Sequence, residues 1–90
     1  MQQAAIPTPA APSVVSDDGS GEHQYAIMAV GAQGRRTPAS NPTRASGRAT
    51  LRWDSVPGAD AYIVVRDGEE ITGPLRIEGS QKEWTDKAAR

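Results

Sequence analysis

Residues 49–54 read Ala-Thr-Leu-Arg-Trp-Asp, and Ala49, Leu51 and Trp53 alternate with Thr50, Arg52 and Asp54. A period of two marks an extended strand with one buried face. Nowhere does the chain sustain the 3.6-residue period, with caps, that a helix requires. This contrast restricts the fold more than any other property of the sequence. What remains is a series of short apolar stretches punctuated by glycine and proline.

Tyr25, Ile27 and Ala29 share one face of the first such stretch, and Ala26, Met28 and Val30 share the other. Two apolar faces suit a strand in mid-sheet. Gly31 and Gly34 follow and can adopt positive φ in a turn. Residues 36–40 then run back as an edge-like strand, because Pro38 cannot donate to a ladder. Residues 41–47 read as a loop. After the strand ending at Trp53, Pro57-Gly58 breaks the chain, and Ala61–Arg66 is rich in β-branched and aromatic residues. Asp67-Gly68 signals a hairpin. Leu75 and Ile77 mark another short strand, and residues 81–86 form a last one around Trp84. Ser16–Glu22 has turn composition; the spacing of Asp17 and Asp18 is not that of a calcium loop. Six or seven short strands separated by such turns imply an all-β chain, a small antiparallel β-sandwich. Tyr25, Ile27, Leu51, Trp53, Tyr62 and Val64 are the expected core.

Ninety residues allow one such domain. We assign residues 13–90 to it and residues 1–12, rich in Ala and Pro, to an extended arm or linker. Lys and Arg nearly balance Asp and Glu for a formal net charge of −1, so neither nucleic acid nor an anionic membrane has an electrostatic footprint here. Cysteine is absent, which excludes disulfides, thiolate metal sites and a cysteine nucleophile. No apolar run approaches the length of a membrane span. Residues 1–12 lack the basic start and apolar stretch of a secretory signal.

Catalytic chemistry has little to build on. His23 is the single histidine, and no nucleophile–base motif or phosphate-binding loop accompanies it. The carboxylate pairs Asp17/Asp18 and Glu69/Glu70 fall in expected turns. The expectation is a protein that is not an enzyme, with no catalytic, cofactor-binding or metal-ligating residues. Its candidate partner contacts are Ile6, Pro7 and Pro9 in the arm, Arg35 and Arg36 beside the first hairpin, and Trp84, the aromatic least embedded in an apolar run.

The segment "LRWDSVPGADAYIVVRDG" resembles the opening half of a fibronectin type III domain, through Leu51-x-Trp53, the Val56–Ala59 turn and Tyr62-x-Val64-x-Arg66. "QYAIMAVGAQGRRTPAS" is similar to the closing hairpin of the same family. Their order is reversed in this chain, so the resemblance implies an immunoglobulin-like sandwich with rearranged strands, the end of one module followed by the start of the next, or a family with its own strand order. The combined pattern is similar to small β-modules of bacteriophage tail-spike, tail-fibre and virion accessory proteins. It implies a structural module of a phage particle, a head decoration or a tail connector, located in the virion, multi-copy or homo-oligomeric, with other virion proteins as partners. Two alternatives are a carbohydrate- or receptor-binding module, whose partner would be a host-surface glycan, and a spacer of a larger secreted enzyme; either would be extracellular or on the cell surface.

Overall fold

A computed structural model describes residues 6–16, 21–31, 34–46, 48–77 and 81–86. The described chain is an antiparallel β-sandwich of seven strands: β1 (Ser13–Ser16), β2 (Glu22–Val30), β3 (Thr43–Ser46), β4 (Thr50–Asp54), β5 (Ala61–Arg66), β6 (Glu69–Glu70) and β7 (Gln81–Thr85). The first sheet has the order β1-β4-β7 and the second β3-β2-β5-β6. β2 therefore lies inside its sheet, as its two apolar faces require. Both sheets also mix strands from the two parts of the chain: β1, β2 and β3 stand on one side, and β4 to β7 on the other.

The alternating residues fill the layer between the sheets. Tyr25, Ile27 and Ala29 from β2 meet Leu51 and Trp53 from β4 and Tyr62 and Val64 from β5 in one buried cluster. The Trp53 and Tyr62 rings pack edge to face with centroids 5.8 Å apart, a geometry their quadrupoles favour. On the outer face of the second sheet Val30, Ala61 and Ile63 form a smaller cluster with Met28 beside it.

The turns obey their local chemistry. Ala59 N–H donates to the Val56 carbonyl at 3.0 Å, and Gly58 has φ 84°; Pro57 before it and positive φ at Gly58 define a type II turn. Asp67 and Gly68 both have positive φ, 52° and 81°, as the turn of a tight hairpin demands. Of the two glycines after β2, Gly34 takes positive φ (76°) and Gly31 does not. Gly31 serves a different purpose: a Cβ there would collide with Cδ1 of Ile6.

Several elements differ from the sequence reading. Residues 43–46 are a strand, because His23 and Gln24 pair with Ala45 and Arg44; the preceding Asn-Pro obscures it. Residues 36–40 flank β2 without forming a regular strand. Arg36 makes a single bridge to Val30, and the side chains of Thr37 and Ser40 satisfy the Ala29 and Ile27 N–H groups at 3.0 Å each. Glu69 and Glu70 form β6 rather than lying wholly in a turn. Leu75 makes only an isolated bridge to Tyr62. β1 went unrecognised: its four residues are too few to show a period, and the pairing with β4 shifts register between Val14 and Ser16. The turn expected around Asp17 and Asp18 lies outside the described residues.

Candidate functional site

β5 ends on Arg66, which stands opposite Tyr25 of β2. Directly opposed residues share a face, so both side chains enter the sandwich. Asp86 meets them from the end of β7, where its N–H donates to the Ala49 carbonyl at 2.9 Å. The Asp86 carboxylate is 1 % exposed. It accepts from the Tyr25 hydroxyl at 2.7 Å and from the Arg66 guanidinium at 2.6 Å. A carboxylate removed from water needs such partners. Burial, and then the hydrogen bond to Asp86, push the Tyr25 phenol well above its ordinary pKa, while Asp86 holds the Arg66 guanidinium still more firmly protonated.

Above this network, at the side of the sandwich where β6 and β7 are the edge strands, lies an open groove of about 810 Å³. Arg66 and Asp86 lie at its inner end, Ile71 and half-buried Trp84 provide apolar surface, and Glu69, Glu70 and Thr85 complete its lining. From β7, Lys82 points inward as well. It is buried, donates to the Ile77 carbonyl and sits 5.8 Å from the centroid of the Tyr62 ring.

His23 is tied down at the neighbouring hairpin. Its Nδ1 lies 2.7 Å from Asp67 Oδ2, and the Gln24 N–H donates to Asp67 Oδ1 at 2.9 Å. The Gln24 amide, and after it His23, hold the Asp67 carboxyl below the usual aspartate range. The His23 Nε2, which a catalytic histidine would turn toward a nucleophile, is buried without a partner. Among the described residues no three histidine or carboxylate side chains converge as a metal site would require.

The candidate contact residues fall in separate places. Trp84 lines the groove, and Arg36 reaches its rim by bonding both carboxylate oxygens of Glu70 at 2.9 and 2.8 Å. Ile6 packs on the core of its own chain beside Gly31 and Gly58. Pro9 is buried and Pro7 exposed. Arg35 is exposed, and its carbonyl accepts the Gly31 N–H at 2.7 Å. Sequence reasoning missed the Tyr25–Asp86–Arg66 network and the His23–Asp67 tie. Both join residues more than forty positions apart or from different sheets, and no short-range pattern encodes them; only the inward parity of Tyr25 and Arg66 on their strands hinted at the first. In comparisons with known proteins, the chain matches no family model, no curated protein and no solved structure.

Proposed function

We propose that the chain is a non-catalytic structural module of a bacteriophage particle, a fibronectin type III-like head decoration or tail component that works through protein–protein contacts. The observation that carries the reading is the groove beside Trp84, an open concavity with apolar surface and a charged rim at one side of a small sandwich. It offers a partner protein an aromatic anchor of the kind that dominates interface energetics. Two further facts support it. Three of the ionisable side chains that line the groove are held by internal bonds, Asp86 to Tyr25 and Arg66, and Glu70 to Arg36. The local sequence around Trp53, Tyr62 and Tyr25 resembles virion accessory modules. Co-sedimentation of the purified chain with particles of its own source tests the proposal: binding that weakens at least tenfold in Trp84→Ala, with an unchanged far-ultraviolet spectrum, is expected. No retention on particles at any salt concentration overturns it.

A second reading, a glycan-binding module, draws on the same groove, because Trp84 has Glu69 and Arg66 beside it and an aromatic surface with polar neighbours suits a sugar. Trp84-dependent signal on a glycan array, without particle binding, would favour this reading.

A further inference from the structure

The charges that face the groove do not balance. Among the described residues its lining holds three carboxylates, Glu69, Glu70 and Asp86, and one cation, Arg66. Asp86 takes Arg66 at 2.6 Å, and Glu70 takes Arg36 from beyond the lining at 2.8 Å. Lys82, the other cation on the inner side of β7, is turned to the Ile77 carbonyl and the Tyr62 ring and does not line the groove. Glu69 is left over: it is exposed and forms no ion pair among the described residues.

The backbone aims this spare charge. Glu69 stands directly opposite Arg66, and Glu70 opposite Val65. Opposed residues share a face, so Glu69 projects on the groove side with Arg66, while Glu70 leans to the outer face and meets Arg36 there. A guanidinium opposite a carboxylate is its natural cross-strand partner, but Asp86 holds Arg66 at the inner end. The turn before β6 fixes the placement. Asp67 and Gly68 both have positive φ, and the Asp67 carboxylate is bonded to the Gln24 N–H and to His23 on β2. Ile71 and the half-buried Trp84 line the same concavity.

We infer that the groove takes a basic side chain, an arginine or lysine presented by the partner protein. Its charge pairs with Glu69, its aliphatic stem lies on Ile71, and its head stacks on the Trp84 ring. Tryptophan is the aromatic face that attracts a cation most strongly. Arginine suits the site better than lysine, since its planar head both stacks and bonds a carboxylate through two N–H groups. An exposed ion pair by itself contributes little; apolar walls that keep water from one side strengthen this one. An anion would enter against three carboxylates and find the single lining guanidinium already engaged. The inference rests on the docking role proposed above for this groove, and adds the chemistry of what docks there.

Two blocked pentapeptides serve as probes, Gly-Leu-Arg-Leu-Gly and the same sequence with citrulline, an uncharged isostere, in place of arginine. The two indole N–H signals in a proton–nitrogen NMR spectrum report binding, because Trp84 is half-buried at the groove and Trp53 is buried in the core. The arginine peptide is expected to shift the Trp84 signal saturably and to leave Trp53 in place. The citrulline peptide on the natural chain, and the arginine peptide on Glu69→Gln, should bind at least about fivefold more weakly. Glu69 is exposed on a two-residue edge strand, so this variant should keep the native far-ultraviolet spectrum. Equal binding of the two peptides, full binding by Glu69→Gln, or no saturable shift of Trp84 overturns the inference. Particle co-sedimentation separates this outcome from the fate of the docking role. Retention on particles with equal peptide binding removes the basic side chain and leaves the docking role. Peptide selectivity without retention removes the virion role and leaves the basic side chain.

Discussion

The Ile6 side chain occupies the space that a Cβ on Gly31 would need. The arm segment 6–12 is in this way keyed to the end of β2 on its own chain, and Pro12 adds a second fastening by accepting the Thr43 hydroxyl at 2.6 Å. Gly31→Ala must push Ile6 out or shift the backbone, an overpacking cost of about 1–3 kcal/mol. Ile6→Ala removes a partly buried side chain and should cost about 1–2 kcal/mol, below the range for a fully buried isoleucine. Denaturant unfolding of both variants and of the double mutant checks the pairing. The double mutant should be more stable than the sum of the single losses predicts, since the alanine at position 6 leaves room for the Cβ.

Tyr25→Phe keeps the ring and removes the hydroxyl from Asp86. It should destabilise by about 1–3 kcal/mol, because a buried acceptor loses a partner. Asp86→Ala should cost more, about 3–5 kcal/mol, since it leaves the Arg66 charge partly buried and unpaired. Thermal or chemical denaturation ranks the two. A smaller loss for Asp86→Ala than for Tyr25→Phe would refute this account of the network.

Asp67 gives a pH signature. Its folded-state pKa is depressed, first by the Gln24 amide and then by His23, so its carboxylate contributes stability above the ordinary aspartate range. That contribution falls away as pH drops through the depressed value. Asp67→Asn tolerates the same positive φ and removes the charge. The stability gap between the natural chain and this variant should therefore be widest at neutral pH and narrow steadily as the solution is acidified below pH ~4. A gap that is constant with pH would mean that the carboxylate charge does nothing here.

Arg36 and Glu70 join across the outer face of β2 and β5, but both side chains are nearly half exposed, 47 % and 44 %. Glu70→Gln should change stability by no more than about 1 kcal/mol, because water and salt screen such a pair. The same variant alters the charge at the groove rim, so under the proposed function it should change retention on particles while leaving the melting temperature nearly unchanged.

The central strands were legible because their side chains carry the pattern: Leu51 and Trp53, Tyr62 and Val64, and Tyr25 and Ile27 each alternate or flank a turn of defined chemistry. β1 and β3 were not. Val14 and Ala45 are single small inward residues in four-residue strands, and such strands are specified by the partners they pair with. The groove was legible only as Trp84, an aromatic among polar neighbours. Asp86 read as one more polar residue near the end of the sequence, since a buried charge is recognised by what surrounds it in space. Gly31 drew attention as a turn glycine, whereas its role is to leave a void for a side chain twenty-five positions earlier.

Lys82 turns an ammonium inward from the outermost strand of a three-stranded sheet. An inward-pointing charge on an edge strand is one of the devices that discourage a foreign strand from pairing along it, so this border resists indefinite stacking. Molecules packed at high local density can thus meet side chain to side chain without fusing their ladders into fibrils.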